Sequence, residues 1–394
     1  MKLLYIQGGS RWKFDNEGNV YTDANYNEKI WKRYTTLCDD FTVILRREEK
    51  IYSKKEAETK FNKFDSKKMK YVSVVDLYKP SKNYFSISKR NEIKRTLEEE
   101  IRKSDKIIIR SLGNFYTKTA LRIALKLKKD VLVEVTGFIF ESLWYHGTKG
   151  KLMALFNDLE YKRLMKNVDY ACYVTNEALQ KRYPARGKML GCSDVELEAL
   201  DSSVLDARLQ RIAKSKDKLI IGTAAFLDVN WKGQKNVVKA LSILKKMGIT
   251  NIEYQLIGGG TGQGIMNLAK ELDVADQINI IGTLPHEQVF SWFDSIDVYV
   301  QPSFQEGLCR SIVEAMSRGC PVIASNVGGN YELVSENNLY NKHDVKALSN
   351  ILKKFCDEVD LSKEAKTSFN IAKDYESNTL NTKRKRFYTE FIKK

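Results

Sequence analysis

Two glutamates, Glu306 and Glu314, stand with seven residues between them in the stretch PSFQEGLCRSIVEAMSRGCPVIAS, residues 302–325. Glu306 precedes a Gly-Leu turn, Glu314 falls in an apolar helical pattern, and Gly319-Cys320-Pro321 breaks that pattern before a short apolar strand. A loop that opens a helix presents backbone N–H groups that lack partners and carry partial positive charge, which suits an anion. A carboxylate inside that helix can accept paired hydrogen bonds from vicinal hydroxyls, which an N–H group cannot do. Phosphate beside a diol is the chemistry of a nucleotide sugar.

Such a loop must be held by strands and helices, and the chain supplies them in alternation. In the first half, KLLYIQ (2–7, ending at Gly8-Gly9), FTVILR (41–46), YVSVV (71–75), KIIIRS (106–111), VLVEVTG (131–137) and YACYVT (170–175) are short apolar runs with strand composition. Between them, residues 116–129 and 151–166 have helical periodicity; in the second, Leu152, Leu155, Phe156 and Leu159 recur at i, i+3, i+4, i+7. The pattern restarts after a polar stretch: KLIIGTAA (218–225), IEYQLIGGG (252–260), INIIGT (278–283), IDVYVQPS (296–303) and PVIAS (321–325) read as strands, with a helix over 237–248. Alternation of this kind implies βαβ units and parallel sheets. The expected fold is α/β, with two doubly wound Rossmann-like domains facing a central cleft. The expected division is 1–205, 206–376 and a basic C-terminal helix, 377–394, packing back on the first domain. Ligands in such sheets bind at the carboxyl ends of the strands. Gly8-Gly9, Gly258–Gly260, Thr283 and Pro302–Gly307 all fall at such ends.

A length of 394 residues agrees with two domains, because single cores stop growing below that size. No apolar run is long enough to span a bilayer, and MKLLYIQGGS is too short for a secretory leader. Six cysteines (38, 172, 192, 309, 320 and 356) are scattered without CxxC pairs, which reads as reduced thiols and a cytoplasmic location. Net charge is +16, and it is uneven: residues 1–200 hold 40 Lys and Arg against 27 Asp and Glu, whereas residues 201–394 hold 26 against 23. A basic first half fits an anionic partner. Tyr71, Tyr78, Tyr84 and Phe85, interleaved with lysines, would suit an anionic membrane surface, placing the chain peripherally on the inner face of the plasma membrane. A lysine-rich solvated surface accounts for the same residues.

The run EGLCRSIVEAMSRGCPVIASNVGG, with FLDVNWKGQKN (226–236) upstream, resembles the nucleotide-sugar-binding half of the retaining GT-B glycosyltransferases of family 4. The resemblance covers residues 218–340; VEVTGFIFESLWYHG and YVTNEALQKRYP are more loosely similar to bacterial surface-polysaccharide members. It implies transfer of a sugar from a nucleoside diphosphate, with UDP the nucleotide expected from the family, to a glycan or polyprenyl-linked glycan, with retention of configuration. In that scheme Glu314 holds the ribose hydroxyls, and Glu306 faces the donor sugar. Backbone N–H groups of Gly307, Leu308 and Cys309 hold the phosphates, and Lys232 neutralises the departing diphosphate. Gly258, Gly259 and Gly260, with Thr283 and Leu284, line the base pocket, and Gly9 packs on the diphosphate from the first domain. His146 is the candidate catalytic histidine of the first half, with a surface role as its alternative; Glu134 and Thr136 lie upstream of it. His286 and His343 read as surface residues.

No cofactor is implied, since the nucleotide sugar is a substrate, and no Asp-x-Asp stands at a strand end to demand a divalent metal. GGGTGQG lacks the acidic residue of a dinucleotide fingerprint. An epimerase or hydrolase on the same plan would need acid–base carboxylates or a cofactor lysine that no motif supplies. A nucleic-acid-binding protein would leave both glutamates without a task, and no nucleic-acid-binding fold is recognisable. A catalytically inactive scaffold stays open because the sequence departs from the family pattern. The arginine expected six residues before Lys232 is replaced by Phe226 or Leu227, and Cys309 replaces a glycine. Arg310 is the candidate for the missing phosphate cation. Arg310→Ala should therefore weaken nucleoside diphosphate binding about as much as Lys232→Ala in titration calorimetry; unchanged affinity would remove Arg310 from that role.

Overall fold

Each half of the chain closes its β-branched runs into one sheet, because each run is apolar enough to be covered on both faces. The computed structural model describes residues 1–394 except Ala24, Asn25, His146, Glu196, Ser215, Lys216 and the side chain of Lys149. The chain divides into two units. The first comprises Met1–Val174, Leu179–Cys192 and Lys383–Lys394, and the second Thr175–Ala178 and Ser193–Thr382.

In the first unit the strands are β1 (Lys2–Asp15), β2 (Val20–Thr22), β3 (Asp40–Tyr52), β4 (Asn62–Lys63), β5 (Lys70–Val74), β6 (Lys106–Arg110), β7 (Asp130–Val135), β8 (Tyr170–Tyr173) and β9 (Lys188–Gly191). The parallel order is β5-β3-β1-β6-β7-β8-β9, reversing direction of build between β1 and β6. That reversal is where doubly wound sheets open a crevice. Gly8-Gly9 does not end β1, as the sequence suggests; the register to β3 slips between Ile6 and Arg11, and the strand resumes. Trp12 explains the continuation. It is fully buried against Phe64 and Tyr71, and its Nε1–H donates to the Val72 carbonyl at 2.9 Å.

The slip is pinned by charge. Buried Arg46 donates to the Gly9 carbonyl and to Asp76 Oδ1 at 3.0 Å, while Arg11 Nε donates to Asp76 Oδ2 at 2.6 Å. Burial alone would raise the Asp76 carboxyl, but the hydrogen bond from Arg11, the Tyr78 N–H and the Arg46 charge hold it below its ordinary value. Glu134, on β7, is likewise spoken for. Its Oε1 accepts from Tyr34 Oη at 2.8 Å and Tyr388 Oη at 2.6 Å, and its Oε2 from Arg110 at 2.7 Å. It is a buried tie for the C-terminal helix, not a group presented to a substrate.

The helix Thr148–Met165 forms where its periodicity predicts, yet the periodic stripe is on the outside. Ala154, Asp158, Tyr161 and Met165 are buried, while Leu152, Leu155, Phe156 and Leu159 are exposed. No helix among the described residues is long and apolar enough to cross a membrane.

The second unit contains β10 (Leu219–Ala224), β11 (Ile252–Ile257), β12 (Ile278–Gly282), β13 (Val298–Gln301), β14 (Val322–Ser325) and β15 (Leu339–Tyr340). All pairings are parallel, in the order β12-β11-β10-β13-β14-β15, so its reversal lies between β10 and β13. Residues 193–205, expected with the first half, group with this unit. Leu197 bridges to Glu376, and Arg208 of the following helix is buried, donating to the carbonyls of Phe293, Ile296 and Arg318.

The Glu134 network sets a stability test. Glu134→Ala removes the buried carboxylate on which the Arg110 guanidinium and the Tyr34 and Tyr388 phenols converge and should cost about 3–5 kcal/mol in chemical denaturation. Tyr388→Phe removes one hydrogen bond and should cost about 1 kcal/mol. A smaller loss for Glu134→Ala than for Tyr388→Phe would contradict this account.

Candidate active site

The site is built from the two loops that leave the sheet at its reversal, after β10 and after β13. The first runs through a short 3-10 turn, Asn230–Lys232, to Gly233, where φ is +74° and a Cβ would lie 1.9 Å from the Pro302 carbonyl oxygen. Only glycine permits that approach. The loops are joined by a hydrogen bond from Phe304 N–H to the Trp231 carbonyl at 2.7 Å. Contact between the loops puts Lys232 Nζ 2.7 Å from Glu306 Oε1. Burial alone would lower the Lys232 ammonium, but the Glu306 carboxylate, helped by Cys309, outweighs it and holds the ammonium above its ordinary value.

Beneath Glu306 lies a chain of donors supplied by strand alternation. Tyr299, Gln301 and Ser303 are spaced by two, so they share one face of the extended segment, and all three are buried. Tyr299 Oη donates to Gln301 Oε1, Gln301 Nε2 donates to Ser303 Oγ at 2.7 Å, and Ser303 Oγ donates to Glu306 Oε1 at 2.7 Å. Every proton points toward the carboxylate, so each bond polarises the next. The sequence reading missed this ladder, as it missed Gly328 and Gly329. Gly328 has φ +56° and a Cβ there would come within 2.2 Å of the Glu306 carbonyl, while Gly329 N–H donates to the Gly307 carbonyl at 2.7 Å.

Leu308 and Cys309 are buried behind the turn, and burial pushes the Cys309 thiol up to about 12, so it is a packing group rather than a nucleophile. Cys309 precedes the helix Arg310–Ser317, whose first turn has no side-chain cap. Arg310 is exposed at its start, and its charge is felt by both Lys232 and Glu314. Glu314 follows one turn on. Burial raises its carboxyl above its ordinary value, an effect that Arg310 and then His286 offset in part. His286, at the start of the helix His286–Ser295, is an exposed residue, but it stands close enough to Glu314 to act on it.

The glycine loop after β11 closes the other side. Gly258, with φ +139°, has no room for a Cβ against the Ala225 carbonyl at 2.0 Å. Asp228, also missed in the sequence, accepts from the N–H groups of Thr261 at 2.8 Å and Gly262 at 3.0 Å. Gly259 lies beside the Phe226 ring and Thr283, and Leu284 follows, half-buried. Leu227 is buried, so Phe226 is the side chain shown where the family pattern has arginine. The structure therefore gathers Lys232, Gly258, Gly259, Thr283, Leu284, Glu306, Gly307, Leu308, Cys309, Arg310 and Glu314 in one unit. Gly9 belongs to the other unit; its N–H donates to Gln7 Oε1 at 2.8 Å. His146 lies outside the described residues. Among the described residues, no group of three or more His, Cys, Asp or Glu side chains gathers to hold a metal.

The family model described as "Glycosyl transferases group 1" matches residues 207–369, which contain the whole of this constellation except Gly9 and His146. Protein CapJ of Staphylococcus aureus is 31% identical over 355 residues, covering 89% of this chain and 85% of that protein. The chain belongs to the group 1 glycosyltransferases. The amylovoran biosynthesis glycosyltransferase AmsK of Erwinia amylovora is 31% identical over 113 residues, 27% of this transferase and 28% of AmsK. Among solved structures, Anabaena Alr3699/HepE in complex with UDP aligns with a TM-score of 0.60 at 15% identity, covering 97% of this chain and 98% of that one. At that identity the likeness speaks for the fold, and the transferase has the GT-B fold.

Glu314 gives a pH test. Folding raises its carboxyl above the ordinary value of 4.5, so the folded transferase holds that proton more tightly than the unfolded chain. Its contribution to stability is present below the ordinary value and is lost as pH rises through the raised one. Glu314→Gln should melt higher than wild type at neutral pH, the gap closing on acidification. A variant melting lower at neutral pH would contradict this sign.

Proposed function

We propose that this transferase moves a sugar from a nucleoside diphosphate, UDP being the expected one, to a hydroxyl of a glycan or lipid-linked glycan, retaining the anomeric configuration. The observation that carries the reading is the Lys232–Glu306 pair at the sheet reversal, one turn ahead of the helix that bears Glu314. An ammonium has three donors, and Glu306 engages one of them, so Lys232 can hold the carboxylate and a phosphate oxygen together. As the bond to the diphosphate breaks, negative charge grows on its oxygens, and a cation already fixed by Glu306 meets that charge without reorganising. Arg310 stands by as the second cation. Gly307, Leu308 and Cys309 offer backbone N–H groups at a helix start that has no side-chain cap.

Glu306 would serve the donor sugar's hydroxyls through the carboxylate edge that Ser303 and Lys232 leave open. Glu314 would accept from the ribose diol, and the cost of burying its charge would be recovered by charge-assisted hydrogen bonds when the nucleotide binds. Phe226, beside Gly259 and Thr283, offers an aromatic face to the base side of the pocket. The relatives agree with this direction: HepE was solved with UDP, and AmsK is named for amylovoran biosynthesis. The chemistry so described needs no protein-bound metal.

The test is a panel of nucleotide sugars, each incubated with the transferase without acceptor and followed by release of nucleoside diphosphate, with EDTA in a parallel series. One donor should be hydrolysed slowly, insensitively to EDTA, and Glu306→Gln and Lys232→Ala should each lower the rate by about 10²–10³-fold. Turnover of no donor, with no binding of any nucleoside diphosphate by calorimetry, would overturn the reading in favour of an inactive scaffold.

A further inference from the structure

The helix Thr148–Met165 is apolar on two faces, and only one of them is packed. Ala154, Tyr161 and Met165 bury the inner face. On the outer face Leu152 is 76% exposed and Phe156 75% exposed, with Leu155 and Leu159 each more than half exposed. These four lie at i, i+3, i+4, i+7, which makes one continuous stripe about 10 Å long. Met153 and Trp144 extend it, both exposed by two-fifths or more. Contiguous apolar surface of this kind marks an interaction site, since single exposed side chains are ordinary but a stripe is not.

Charge says what the stripe meets. Lys151 stands at its start, its ammonium 5.3 Å from the centre of the Trp144 ring, and Arg163 and Lys166 are exposed at its far end. Both acids of the helix are held in ion pairs. Asp158 is buried with Arg182 at 2.7 Å, and Glu160 is held by Lys118 at 2.7 Å and by Arg122. An apolar band capped by cations, with both acids of its own helix paired, matches the boundary between acyl chains and anionic headgroups. A second copy pairing through the same stripe would set these cations against each other.

We propose that the outer face of the helix Thr148–Met165 docks this transferase on an anionic lipid surface, Leu152 and Phe156 entering the acyl boundary and Lys151, Arg163 and Lys166 meeting headgroups. This site differs from the aromatic and lysine cluster near Tyr71–Phe85 that the sequence suggests. There Tyr71 packs on Trp12 and Phe64, Tyr78 stacks with Tyr84, and Phe85 alone of the four is mostly exposed. The inference is independent of the transfer reaction, and its test uses no substrate.

The full chain is sedimented with vesicles of phosphatidylcholine mixed with phosphatidylglycerol, and with vesicles of phosphatidylcholine alone. Binding to the mixed vesicles that weakens with added salt and falls about tenfold or more in the double variant Leu152→Asp/Phe156→Asp is the expected result. Circular dichroism verifies that the variant is folded. Hydrogen exchange on the wild type gives a readout that needs no variant: amides over 152–159 should slow when mixed vesicles are added. The proposal is overturned by absence of sedimentation with either vesicle, by undiminished binding of the folded variant, or by unchanged exchange over 152–159. It is also overturned by a solution dimer that the variant dissociates while neither protein binds vesicles.

Discussion

An ammonium drawn mostly out of water keeps its charge only beside a carboxylate, and the second unit is organised to keep Lys232 charged beside Glu306. Breaking one side of such a pair typically costs about 3–5 kcal/mol, because the partner is left buried and alone. The two residues come from loops 74 positions apart in the chain, so the pair forms only if those loops touch. Gly233 exists for that contact, and Gly328 and Gly329 brace the far side of the same loop. The Tyr299-Gln301-Ser303 ladder then fixes which oxygen of Glu306 faces the lysine. Remove the pair and these packing choices lose their purpose.

How much of this was legible beforehand depended on whether a residue's identity is imposed by backbone or by partner. The two glutamates, the glycines and the strand ends could be read because a loop, a turn and a helix start demand certain residue types. Fold class and both parallel sheets followed from the same alternation. Partner choice could not be read. That Lys232 pairs with Glu306 is a relation that requires two distant loops to meet. Tyr299, Gln301 and Ser303 sit in an apolar strand where alternate polar residues look ordinary, and only their buried geometry turns them into a directed chain.

The first unit shows the same limit more sharply. Periodicity located the helix Thr148–Met165 but could not say that a second set of residues, Ala154, Asp158, Tyr161 and Met165, would take the core. A helix with two apolar faces gives two answers, and burial chooses between them. Gly8-Gly9 looked like a strand end because two glycines usually are one; Trp12, four residues past Gly8, had enough surface to bury that the strand slipped its register and went on. Glu134 stood at the mouth of a strand, where catalytic carboxylates are expected, and instead is consumed by Arg110 and two tyrosines.

That last network bears on how the protein is made. Tyr388 is translated 254 residues after Glu134, yet it completes the pairing of that carboxylate, and Glu390 reaches Tyr170 and Lys188 from the same helix. Domains emerging from synthesis ordinarily fold in order from the N-terminus. Here the first unit waits for a helix that is translated after the whole of the second sheet, so a chain that stops before position 388 leaves the Glu134 carboxylate, in the middle of that unit's sheet, short of one of its phenol donors.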